Sequence, residues 1–208
     1  MRTILHLTCS PKGPSAYSRL VADELVARLS EANPAAKIVH RDLAADPPPL
    51  PNAAFSAAVL SGAAADDPAF AASETLIGEL EACDALVIGT PMHNYAVPAV
   101  LKAWIDQIVR IRRTFQSTPA GKIGTLRDRP VFVVVASGGW FTGPSPTGTP
   151  AQPDFLTPYL RAALGTIGLT GIAFVTLEGL ARGADPVEHA LAAARARIAA
   201  LIPAPPMH

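Results

Sequence analysis

The chain has 208 residues, half of them apolar and 16% charged, which is enough to bury a sizeable core in one domain spanning residues 1–208. Seventeen basic residues balance seventeen acidic ones, so the composition offers neither a nucleic acid nor a membrane surface a strong electrostatic partner. The two cysteines, Cys9 and Cys83, form no C-x-x-C pair, and no run approaches the ~18 apolar residues of a membrane span, so a reducing cytoplasmic location is expected.

Residues 3–8 read as the first strand, followed by a helix over 16–29 whose Leu20, Val21, Leu25, Val26 and Leu29 recur every three or four residues. A short strand over 37–40 leads into DPPPLPN, residues 46–52, where four prolines require a surface loop. A helix is expected over 69–81, a third strand over 85–89 and a helix over 98–112, its apolar set running from Val97 through Trp104 to Val109. Residues 131–136 form a continuous apolar strand. A loop rich in Gly, Pro, Ser and Thr follows over 143–153, with the features of a mobile segment. A helix over 158–167, a fifth strand over 172–177 and a last helix over 186–201 complete the pattern. Strands that are apolar on both faces, separated by helices, define an α/β doubly wound five-stranded parallel sheet with helices on both faces. Arg110, Arg112 and Arg113 read as a solvated helix end.

In such sheets ligands bind beyond the carboxyl ends of the strands, at the switch point. Three loops there carry unusual chemistry. After strand one, CSPKGPSAYS (9–18) places Ser10, Ser15 and Ser18 around a helix N-terminus, where free N–H groups and the helix dipole favour a phosphate. Simple N-capping by Ser15 or Ser18 is the alternative. The loop matches neither the Walker pattern nor G-x-G-x-x-G, and the position six residues after Cys9 is Ser15 rather than the arginine of a phosphatase loop. After strand three, Pro91-Met92-His93-Asn94-Tyr95 ends the strand and presents an amide with donors and acceptors to a flat heteroaromatic ring. A helix cap by Asn94, with Met92 and Tyr95 as packing, is the alternative. After strand four, Ala136-Ser137-Gly138-Gly139 lets backbone approach a ligand closely, with Trp140 and Phe141 as apolar cover.

These three loops resemble the signatures of the FMN-dependent NADH-azoreductases, which are also NADH:quinone oxidoreductases: a serine-rich loop, a P-M-Y-N-F turn and S-R-G-G. Further similarity lies in Arg41-Asp42-Leu43, Leu101-Lys102, Ile105-Asp106, Thr114-Phe115 and the segment from Thr157 to Gly168. His93 stands in place of the usual Tyr, Tyr95 in place of Phe, Ala16 in place of a serine and Ser137 in place of the arginine.

The resemblance implies a flavodoxin-like fold with strand order 2-1-3-4-5. It also implies FMN as cofactor, NADH or NADPH as donor, and ping-pong two-electron (hydride) reduction of quinones and azo compounds. The cofactor-binding residues it implies are Ser10, Ala16, Tyr17, Ser18, Pro91, Met92, His93, Asn94, Tyr95, Ala136, Ser137, Gly138 and Gly139. The substrate pocket would use Tyr95, Phe115, Trp140 and Phe141, with His93 as a substrate contact or a rim residue without chemical role, and no metal. Family members are usually homodimers with active sites at the interface, where Tyr95, Trp104 and Phe115 are candidates, Trp104 being equally well placed for the core. Two rivals share the fold: an NADPH-dependent FMN or chromate reductase, and a flavodoxin-type electron carrier, against which the neutral charge argues. A flavin-free binding module is the third alternative.

Overall fold

In the computed structural model, which describes residues 1–203, five parallel strands form the central sheet: β1 (Thr3–Thr8), β2 (Lys37–Asp42), β3 (Ala85–Pro91), β6 (Val131–Ala136) and β7 (Ile172–Leu177). Their order is β2-β1-β3-β6-β7. The expected 2-1-3-4-5 wording needs correction only because two short strands intervene in sequence. β4 (Phe115–Thr118) and β5 (Gly121–Gly124) pair antiparallel as a separate hairpin.

Alternate residues of the strands face opposite layers. Ile4, Val87, Val134 and Val175 pack against Val21, Leu25 and Leu29 of α1 (Tyr17–Ala32) and Ala194 and Ile198 of α6 (Ala184–Leu201). Leu5, Leu7, Ile88, Val133 and Val135 pack on the other face. Their partners are α3 (Ala71–Ala82), α4 (Ala99–Ile108) and α5 (Thr157–Thr166). Trp104 of α4 is fully buried in this second core. One helix lay outside the sequence reading: α2 (Ala53–Ser61), capped by the Asn52 side chain accepting from the Phe55 N–H and ended by Gly62 at φ 71°. It covers a small satellite core in which Phe55 and Phe70 meet edge to face at 5.4 Å.

Helix α4 stops four residues short of the expected end. The buried Thr114 hydroxyl donates to the Ile108 carbonyl at 2.6 Å and accepts from the Arg110 N–H at 3.0 Å, supplying a cap from outside the helix. Of the three arginines that follow, only Arg112 is solvated; Arg110 and Arg113 turn back onto the protein. Arg110 is buried, lies over the Phe70 ring and pairs with Glu74, Arg113 reaches Glu74 and Glu81, and Arg112 donates to the Val59 carbonyl. Among the described residues no helix is long and apolar enough to cross a membrane.

Candidate functional site

Parallel strands place every β–α loop at one edge of the sheet, so the loops after β1, β3 and β6 converge. They enclose a crevice of about 240 Å³ lined by Ser10, Pro11, Lys12, Ala16, Tyr17, Ser18, Pro91, Met92, His93, Ala136, Ser137, Gly138, Leu180 and Ala181. Twelve of these fourteen positions belong to the three loops, and Leu180 and Ala181 come from the β7–α6 loop.

Helix α1 begins at Tyr17 with Ala16 as its N-cap and with no side-chain cap. Its first intrahelical acceptor is used only at Leu20, whose N–H donates to the Ala16 carbonyl, so the N–H groups of Tyr17, Ser18 and Arg19 point out of the helix unspent. Neither serine caps: Ser15 Oγ donates to the Lys12 carbonyl, and Ser18 Oγ is buried without a hydrogen-bond partner among the described residues. A buried hydroxyl left unpaired at an uncapped helix N-terminus fits an anion that would accept from both. Lys12 supplies a cation on the same wall. Arg19, one turn along, is held instead by Asp42 at 3.1 Å. Gly89 at the end of β3 lets this first turn lie against the sheet. A Cβ there would come within 2.9 Å of the Ser18 carbonyl oxygen and 3.0 Å of the Ala22 side chain.

The turn after β3 is tight. His93 and Ala96 exchange both backbone hydrogen bonds, at 3.0 and 2.9 Å, and the two central residues have positive φ, 49° at Asn94 and 70° at Tyr95, the pattern of a type I′ turn. Asn tolerates that conformation; Tyr does so only with strain. Asn94 therefore does not cap α4, whose N-cap is Pro98 without a side-chain bond. His93, Asn94 and Tyr95 are all exposed, His93 on the crevice wall.

In the loop after β6, Ser137 is buried and Gly138 faces the crevice. The Gly138 carbonyl is occupied by the Ala181 N–H, and a Cβ on Gly138 would meet only the Ala181 side chain. Gly139 N–H leans toward Ser137 Oγ at 3.3 Å.

The four aromatic residues expected at a substrate pocket are dispersed. Tyr95 sits at the rim. Phe141 is buried in the core, its N–H held by Glu178. Trp140 packs across Gly179 and lines a neighbouring cavity of about 480 Å³ with His189 and Glu178. Phe115 is buried at the root of the hairpin, on a different element from the crevice. Pro11, Lys12, Leu180 and Ala181 also line the crevice beyond the expected residues, and Gln152 lies behind its wall against Met92 and Ser137. Cys9, close by, is buried, and burial pushes its thiol far above the usual range, which removes it as a nucleophile.

The site defines a class. The family model described as "Flavodoxin-like fold" matches residues 2–202, and the chain belongs to that family. Among curated proteins it is 47% identical over 189 residues to an FMN-dependent NADH:quinone oxidoreductase 2 of Cupriavidus pinatubonensis, covering 89% of this chain and 90% of that one. It is 46% identical to an FMN-dependent NADH:quinone oxidoreductase 4 of Pseudomonas fluorescens, covering 95% and 94%. Among solved structures, an azoreductase from Bacillus anthracis superposes with a TM-score of 0.82 at 23% identity, covering 97% of this chain and 99% of that one, a likeness of fold.

Proposed function

We propose that the chain is an FMN-dependent NAD(P)H oxidoreductase that reduces quinones and azo compounds by ping-pong transfer of two electrons as hydride. The observation that carries this reading is the uncapped start of α1 with the buried, unpartnered Ser18 hydroxyl, set beside a crevice between two ring-sized loops. The relatives named FMN-dependent NADH:quinone oxidoreductases, nearly half identical over nine-tenths of their length, support it independently.

FMN, when bound, supplies the redox chemistry; the protein supplies placement and field. Ser10, Ser18, the N–H groups of Tyr17 and Ser18 after Ala16, and Lys12 hold the phosphate. Pro91–Tyr95 and Ala136–Gly139 would flank the ring, Asn94 would address its polar edge, and the backbone N–H of Gly138 would favour negative charge on it. Tyr95 and His93, exposed at the rim, meet the acceptor. No side chain is required as an acid or base.

The reading extends to a homodimer with active sites at the interface. Tyr95 and Phe155, 47% and 62% exposed, are joined at the crevice rim by the Phe155 N–H to Tyr95 carbonyl bond, an apolar edge suited to burial by a second copy. The chain acts as one FMN-binding domain, supported by one sheet with a core on each face. A cytoplasmic location accords with the two buried free thiols.

The test is reconstitution of purified protein with FMN, followed by NADH and NADPH oxidation with a quinone. Bound yellow flavin with turnover is expected. Bound flavin without turnover would identify an electron carrier, strong preference for NADPH with free FMN as acceptor would favour the FMN-reductase alternative, and failure to bind FMN would reject the reading.

A further inference from the structure

We propose that Gln152 is a positioning residue for the flavin ring. Its carboxamide cross-ties the two loops between which the ring lies. The inference rests on the function proposed above.

Gln152 lies at the end of the Gly- and Pro-rich loop after Trp140, a segment without helix or strand. Its backbone is fixed by an N–H bond to the Trp140 carbonyl at 2.8 Å. Its Nε2 donates to Ser137 Oγ at 2.9 Å and lies 3.2 Å from Met92 Sδ. Met92 lines the crevice from the loop after β3, and Ser137 lines it from the loop after β6. At their roots these loops are already joined by the Met92 N–H to Ala136 carbonyl bond at 2.8 Å. Gln152 adds a second, outer tie, so the separation of the two walls is set at two points rather than one.

The fit around this amide is close. A Cβ on Gly139 would stand 2.6 Å from Gln152 Oε1, so the glycine at 139 makes room for the glutamine. Ser137 Oγ also receives the Gly139 N–H at 3.3 Å, which makes the serine hydroxyl the point where the amide and the glycine backbone meet. Ser137 stands where the related motif carries arginine, a side chain unable to accept the amide's hydrogen bond. The serine and the glutamine thus form one device: the small acceptor leaves space, and the loop sends in a donor to fill it.

Gln152→Leu keeps a side chain of similar bulk, one atom shorter, and removes the donor. FMN titration of wild-type apoprotein and of the variant, by flavin fluorescence quenching, should show about tenfold weaker binding for the variant. The visible circular dichroism of the flavin that does bind should change, reporting a reoriented ring. Unfolding of the apoprotein should stay within about 1 °C of wild type, since the loop lies outside both sheet cores. Ser137→Ala and Gln152→Leu combined should cost less than the sum of the two single losses, because the Gln152–Ser137 bond is removed by either one. Gly139→Ala, which pushes the amide aside by contact, should repeat the loss. Unchanged affinity and dichroism in Gln152→Leu, with wild type binding FMN, would overturn the role of Gln152 and leave the function standing. A wild-type protein that binds no FMN would overturn both.

Discussion

Replacing Ser18 by alanine should move stability and cofactor affinity in opposite directions. The hydroxyl belongs to a residue only 1% exposed and has no hydrogen-bond partner among the described residues. A buried polar group left unpaired costs on the order of 1–3 kcal/mol. Alanine removes that cost, and as the better helix former in the first turn of α1 it adds no strain. The apoprotein should therefore gain about 1 kcal/mol, a rise of roughly 2–4 °C in Tm for a chain of this size. FMN binding should weaken, because a hydrogen bond to a charged acceptor contributes about 1.5–3 kcal/mol, which is roughly ten- to a hundredfold in Kd. Thermal unfolding without FMN and fluorescence titration with it measure the two effects separately. Riboflavin is the control: lacking the phosphate, it should bind the variant and wild type alike. An equal loss for FMN and riboflavin, or an unchanged FMN affinity, would refute the placement of the phosphate at this helix start.

Three further outcomes follow from the geometry. Gly89→Ala brings a Cβ within 2.9 Å of the Ser18 carbonyl oxygen and should destabilise the fold by about 1–3 kcal/mol while lifting the start of α1 and weakening FMN binding, readable by urea unfolding and the same titration. Tyr95→Gly creates the Asn-Gly pair favoured in type I′ turns and relieves the positive φ at 95, so Tm should rise by about 2 °C while the KM for quinone increases if the phenol meets the acceptor. His6 is buried on β1 facing Asp23, His40 and Arg19, and burial, reinforced by His40 and Arg19, holds its pKa down at about 4. Its folded pKa lies below the unfolded value of about 6.5, so the unfolded state takes up the proton first and stability falls as pH drops from 6.5 toward 4. Wild type should lose about 2 kcal/mol between pH 7 and pH 5 that His6→Leu does not lose, and equal slopes in urea melts at the two pH values would refute this.

What could be read from the chain alone follows from the kind of force that sets each element. The central strands β1, β3 and β6 are buried, largely apolar runs because both faces are covered, and that pattern is local, whereas the edge strand β2, KIVHRD, is partly exposed. The β4–β5 hairpin escapes the same reading: its strands, FQST and GKIG, have four residues each, two glycines and little apolar content. Helix α2 is alanine-rich and apolar all round, so no period marks it, although Asn52 and Gly62 stood as caps at its ends. The end of α4 is set by Thr114, six residues beyond the carbonyl it satisfies, and no helical pattern contains that bond.

At the site the same division holds. The crevice loops proposed to seat the phosphate and flank the ring are backbone features, dictated by where strands end and where proline and glycine fall, and they are legible. Lys12 stands within CSPKGPSAYS, but a single lysine carries no local signal that it faces the crevice rather than solvent. Trp140 and Phe141, adjacent in sequence, diverge to a surface cavity and to the core, because the bend after Gly139 separates them and only the Glu178 and Gly179 contacts decide which goes where. Gln152 is further still from local inference: its partners lie 15 and 60 residues away, and it sits in a segment whose composition suggests only disorder. If the amide sets the gap between the ring-holding walls, then part of the site's definition resides in the stretch least legible as structure. Relatives that keep the three loop signatures but carry arginine at position 137 would then have to fix that gap by another contact.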